Sequence, residues 1–197
     1  MTRRYRAQPA KMIGLKLPIP TRGKLDPDLR KYFEICDQKI GFVPNVLAAY
    51  SFDATKLRAF IAMYNDLMLG ESRLSRLERE MIAVVVSSAN RCYYCLTAHG
   101  QAVREMSGDA SLGETLVMNW RVAQVTPKQR AMLEFAHRLT VDPAATGAAE
   151  RRALTKAGFS DRDIWDISSV AAFFNMTNRL ATATDMMPNE EYHALSR

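Results

Sequence analysis

From Asp26 onward the apolar residues of this chain recur every three to four positions, a period that amphipathic helices satisfy and strands do not. Leu57, Phe60, Ile61, Tyr64, Leu67 and Met68 form one such stripe, and Met132, Leu133, Phe135, Ala136 and Leu139 form another. Helix starts are marked by a hydroxyl followed three residues later by an acid or amide, a pairing in which each group satisfies a backbone N–H of the first turn. Ser75 with Glu78, Thr126 with Gln129 and Ser160 with Asp163 have this spacing, and Pro127 suits a first helical position. Gly70, Gly108 and Gly158 fall near the expected helix ends, where a left-handed residue is wanted. The β-branched run Val84-Val85-Val86 lies inside a capped helical window, so no strand competes with it. The expected fold class is all-α, a helical bundle.

A shift of 85 residues lays Ser75 on Ser160, Ile82 on Ile167, Val85 on Val170, Asn90 on Asn175, Thr97 on Thr182 and Ala98 on Ala183. This leaves two even readings, a duplicated helix pair or two similar amphipathic helices. Thr177, Leu180 and Thr184 stand in the second copy where the first has Cys92, Cys95 and His99, so under duplication only the first copy keeps its chemistry.

With 197 residues, 48% of them hydrophobic, the chain can bury one core without disulfides or metal. One domain over residues 26–197 is expected, preceded by a basic, Pro- and Gly-punctuated extended arm over 1–25. Of the 27 Lys and Arg, nine lie within residues 1–31 beside two of the 21 acids. The remaining 18 basic and 19 acidic residues nearly cancel, so the body lacks the basic stripe of a nucleic-acid-binding surface. Three cysteines are too few for a secreted disulfide framework, the first thirty residues hold no apolar leader core, and the longest apolar run, Met81–Val86, is too short to span a bilayer. A cytoplasmic protein without membrane or nucleic-acid partners is expected, and eleven Met among many aromatics favour a homo-oligomer.

The chemistry concentrates at Cys92-Tyr93-Tyr94-Cys95. Two cysteines at this spacing around a helix start can meet as a disulfide, and the unpaired N–H groups of a first turn favour thiolate. Asn90 is the expected N-cap, which would put both cysteines in the first turn and a half of the following helix. His99 follows Cys95 by four residues and lies on the same side. Glu80 would sit about 18 Å from Cys92 along a straight helix, so it can join only if the chain bends within Ser87–Asn90. Closeness to the helix start favours Cys92 as the more acidic thiol, and closeness to His99 favours Cys95. Zinc is the rival use of Cys92, Cys95 and His99. It needs a fourth ligand, and Cys36, the one cysteine left, lies in the apolar-flanked Phe33-Glu34-Ile35-Cys36, where burial as a small hydrophobe is its expected fate. His137 and His193 read as structural or solvated, Trp120, Trp165, Phe173 and Phe174 as core or subunit contacts, and Asn175, Asn178 and Arg179 either as buried polar pairing or as a pocket wall.

The string Glu80-x11-Cys92-x2-Cys95-x3-His99, within LSRLEREMIAVVVSSANRCYYCLTAHG, resembles the active-site signature of the alkylhydroperoxidase D (AhpD) group of the carboxymuconolactone decarboxylase superfamily. GFVPNVLAAYS at 41–51 and the GFSD, IWDI and FFNMTNRLA segments resemble its peroxidase-related branch, so the resemblance covers residues 26–192. It implies an all-helical fold with the CxxC on a helix hairpin, assembled as trimers or hexamers of trimers, and a peroxidase or disulfide reductase that needs no haem, flavin or metal. It also implies that Cys95 attacks the peroxide, Cys92 resolves to the disulfide, and Glu80 and His99 relay protons through water. Tyr94 departs from the pattern, since the best-studied members of the family place His immediately before the second cysteine.

On this reading the substrate is a peroxide, organic peroxides included, and a lipoyl or thioredoxin-type dithiol returns the electrons. Two other classes remain open from the sequence: a decarboxylase or lactone-handling enzyme of the same superfamily that does not use the cysteines, and a non-enzymatic redox-sensing or stress-interaction protein.

Overall fold

The structure is a computed structural model that describes residues 12–197, and among these no strand is present. Nine α-helices follow in order: α1 (Pro27–Ile40), α2 (Asn45–Tyr50), α3 (Ala54–Tyr64), α4 (Arg76–Ala89), α5 (Tyr93–Ser107), α6 (Ala110–Asn119), α7 (Pro127–Val141), α8 (Ala148–Lys156) and α9 (Asp161–Ala183). The all-helical expectation holds. The basic arm expected over 1–25 lies outside the described residues for 1–11. Of the rest, Gly14 donates its N–H to the Thr184 carbonyl (2.8 Å) and Met12 accepts from the Met187 N–H (2.9 Å), so this strip runs beside the end of α9.

All three sequence-derived capping boxes form. In each, the hydroxyl accepts the N–H of the third helical residue, whose own side chain accepts the N-cap N–H. Asp53 and Asp109 cap α3 and α6, each accepting two backbone N–H groups. Gly108 (φ 65°) and Gly158 (φ 89°) are left-handed as expected. Gly70 is not, with φ −67°. It closes a π-helical turn, Asn65–Leu69, and a Cβ there would run into the Asp66 carbonyl oxygen, so its requirement is space rather than a positive φ.

Helix α4 is the axis of the bundle, buried at every residue from Arg79 to Ser87, and it packs on α5, α6, α7 and α9. Met81–Val86 is apolar on all sides because that segment has no solvent face. Leu57, Leu133, Ile167 and Phe174 are 0–1% exposed around it, each contributing roughly 1.5–3 kcal/mol of burial.

The turn between α4 and α5 determines the site. Helix α4 continues through Ser87 and Ser88, and the chain reverses over Asn90–Cys92, where Arg91 takes φ 54°. Asn90 does not cap α5. It is the C-cap of α4, its N–H donating to the Val86 carbonyl, and extended Cys92 occupies the N-cap of α5 instead. The cause is competition for the Asn90 side chain, which donates to Asn175 (3.1 Å) and Asn178 (3.0 Å) on α9. Helix α9 shows no matching break and runs through the register equivalent of this turn as one helix of 23 residues. The sequence repeat therefore relates α4 to the first part of α9, without a second helix pair.

Candidate active site

The α4–α5 reversal brings Glu80, from the second turn of α4, against His99, from the second turn of α5. Glu80 Oε2 lies 2.6 Å from His99 Nδ1, with side-chain exposures of 6% and 13%. Taken in isolation, a helix glutamate is expected to be solvated; this one is buried because its helix is central. An ionised carboxylate only accepts hydrogen bonds, so Nδ1 carries the hydrogen and Nε2 is the ring's basic nitrogen. The edge-on ring of Phe174, 4.6 Å between centroids, fixes the imidazole plane.

Cys92 and Cys95 are both reduced and buried, at 1% and 4% exposure. Cys92 is drawn down to about 7, first by a hydrogen bond from the Cys95 thiol, with the Cys95 backbone N–H, Thr182 and His99 adding to it and burial opposing. Cys95 is pushed well above the usual thiol range, first by that same hydrogen bond and then by burial. The two sulfurs share a proton, so one negative charge on the pair is favoured and a second strongly opposed. Of the two, Cys92 takes the charge more readily, as closeness to the helix start suggests.

The sulfurs face different spaces. Cys95 lines an apolar cavity of about 370 Å³ together with Glu80 and His99, whereas Cys92 lines a second, more polar recess with Arg91 and Asp185. Tyr94 borders both. Its hydroxyl accepts the Val46 N–H (2.9 Å) in the first turn of α2, and burial pushes its pKa well above the ordinary phenol value. The residue standing where the best-studied members of the family have His is thus a neutral phenol tied to a helix start, and not a base.

Among the cavity residues that the sequence does not mark as such are Tyr192 and Cys36. Tyr192, in the turn Glu190–His193, lines the cavity and packs edge-on to Phe42. Cys36 is half-buried against the core as expected of a small hydrophobe, but it also faces this cavity, and burial raises its pKa. His137 lies at a tilt against Trp120 (5.3 Å between centroids), and His193 Nε2 meets the Tyr93 hydroxyl at 3.1 Å; neither lines the cavity. Trp120 is core, whereas Trp165 is 70% exposed. Asn175 and Asn178 belong to buried polar pairing.

Residues 54–138, which carry Glu80, both cysteines and His99, match the carboxymuconolactone decarboxylase family. The solved structure of a peroxidase-related protein from Silicibacter sp. TM1040 superposes with a TM-score of 0.93 at 59% identity, covering 96% of this chain and 98% of that one. The AhpD core of a peroxidase-related protein from Ralstonia eutropha JMP134 superposes with a TM-score of 0.90 at 36% identity, covering 95% and 97%. The chain belongs to the AhpD-like group of the carboxymuconolactone decarboxylase superfamily. The AhpD-like chain is also 24% identical over 114 residues to the protein YdfG of Bacillus subtilis (strain 168), covering 57% of this chain and 77% of YdfG. Among its described residues no helix is long and apolar enough to cross a membrane.

Proposed function

We propose that this AhpD-like protein is a cysteine-based peroxidase that reduces uncharged organic hydroperoxides through a Cys92–Cys95 dithiol–disulfide cycle. The observation that carries the reading is the convergence of Cys95, one sulfur of a coupled thiol pair, with the buried Glu80–His99 pair on one apolar cavity. Because the proton between the sulfurs can shift, charge resting on Cys92 passes to Cys95, the sulfur that opens on the cavity. Cys95 thiolate then attacks the terminal oxygen of ROOH. The O–O bond breaks, the alkoxide takes a proton supplied through His99, and Cys95 becomes a sulfenic acid. Cys92 attacks that sulfur, hydroxide leaves as water, and the disulfide closes. An external dithiol of the lipoyl or thioredoxin type reduces it by two successive exchanges.

The cavity argues for the substrate class. Among the described residues that line it none is Lys or Arg, and Glu80 and Glu105 are acidic, so the lining offers an anionic substrate no permanent cation. Ile40, Leu69, Met106 and Leu180 line it while remaining 39–45% exposed, offering an apolar approach. A homo-oligomer that covers part of this rim fits the same reading.

The test is consumption of cumene hydroperoxide by the purified protein with dihydrolipoamide or a thioredoxin system as donor. Turnover that disappears in both Cys92→Ser and Cys95→Ser supports the cycle. Turnover retained in the double variant would overturn it.

A further inference from the structure

Cys95 sits at the end of a row of amides that extends to the surface of α9. Arg179, exposed, donates from Nη1 to the Asn175 side-chain oxygen (2.7 Å). Asn90 Nδ2 donates to that same oxygen (3.1 Å) and to the Asn178 oxygen (3.0 Å). Asn178 Nδ2 in turn donates to the Ser87 hydroxyl (3.0 Å). Asn178 is 1% exposed and Ser87 0%. Ser87 is also fastened to the cysteine turn, its carbonyl accepting the Cys92 N–H at 3.0 Å.

The polarity of this row is not arbitrary. An amide side chain can be turned end for end, but a guanidinium has no acceptor and can only donate. Arg179 therefore requires the oxygen of Asn175 to face it. That oxygen requires the nitrogen of Asn90, whose second hydrogen requires the oxygen of Asn178. The Asn178 nitrogen is left pointing inward. One of its hydrogens goes to Ser87, so the Ser87 hydroxyl, already accepting, has its own hydrogen to give. Both groups act on the Cys95 sulfur as donors that favour its charged form.

We infer that Ser87 and Asn178 form a donor pocket that stabilises the Cys95 thiolate, with Asn90, Asn175 and Arg179 as positioning residues that fix the direction of the amide nitrogen. The inference rests on the proposed cysteine chemistry and adds to it the means by which Cys95 can take the charge from Cys92 before it meets a peroxide. Hydrogen bonds to a charged group are worth enough to move a thiol by about one to two pH units.

The experiment isolates Cys95 in a Cys92→Ala background and follows the pH dependence of its alkylation by iodoacetamide, read by mass on the peptide that carries it, so that Cys36 does not contribute. Adding Ser87→Ala should raise the midpoint by about one unit or more, with roughly tenfold slower alkylation below the midpoint. Asn178→Asp keeps the oxygen that Asn90 needs, replaces the donor with an anion, and should raise it further. Thermal melting of each variant separates a packing defect, which lowers the melting temperature without moving the midpoint. A folded Ser87→Ala variant with an unmoved midpoint, or a midpoint lowered by Asn178→Asp, overturns the inference. Neither measurement involves a peroxide, so their failure is distinguishable from failure of the proposed activity.

Discussion

Replacing Glu80 by Gln keeps the shape of the side chain and removes the charge that orients His99. The two groups meet at 2.6 Å and are 6% and 13% exposed, so solvent screens their interaction little. A hydrogen bond to a charged group contributes about 1.5–3 kcal/mol and a neutral one about 0.5–1.5, so the substitution weakens the hold on a protonated His99 by roughly 1–2 kcal/mol. At 1.36 kcal/mol per decade this is about a tenfold loss in a step that needs the imidazolium as proton donor. The amide can also present its NH₂ to Nδ1, selecting the wrong tautomer and deepening the loss toward the roughly hundredfold typical of general acid–base catalysis. The assay is single-turnover disulfide formation with cumene hydroperoxide in a stopped-flow instrument, using the intrinsic fluorescence of the tyrosines that line the cavity. Wild-type rates in a folded Glu80→Gln protein would refute the relay and leave the carboxylate a purely structural role.

Three further outcomes follow from the same geometry. The depressed Cys92 pKa means that the charge on the pair is present above about pH 7 and lost below it, so single-turnover rates should rise with pH toward that value and then level; a profile centred near the ordinary thiol value would contradict the shared proton. Ala98→Phe, at a position 8% exposed that lines the cavity, should slow turnover of cumene hydroperoxide at least tenfold while hydrogen peroxide is affected far less, as read from kcat/KM for both substrates. Tyr94→Phe deprives the Val46 N–H of its acceptor and should cost about 1–3 kcal/mol in urea unfolding, with the alkylation of Cys92 unchanged.

The sequence disclosed what depends on neighbours along the chain. Ser75/Glu78, Thr126/Gln129 and Ser160/Asp163 could be read because a capping box is complete within four residues. Asp53 and Asp109 could have been read in the same way, each capping N–H groups two and three residues on. Asn90 misled because its local preference for an N-cap lost to amides on α9, 85 and 88 residues away. Burial of Glu80 was equally nonlocal: periodicity gives α4 an apolar face, but only packing by α5, α6, α7 and α9 makes that helix the centre of the bundle. Placement of Cys36, Tyr192 and Tyr94 around one cavity depends on how α1, the C-terminal turn and α2 meet, which no short window of sequence encodes. The four-residue constellation was visible as spacing, whereas the split that turns Cys95 to the cavity and Cys92 to the other recess was not.

A dithiol cycle at this site requires above all that the two sulfurs join when a peroxide is reduced. Trypsin cuts after Arg91 and Arg104, so a single peptide carries Cys92 and Cys95 and excludes Cys36. After one equivalent of cumene hydroperoxide under non-reducing digestion, that peptide should lose two hydrogens and regain them with dihydrolipoamide. A peptide that keeps both free thiols while the peroxide is consumed would contradict the account.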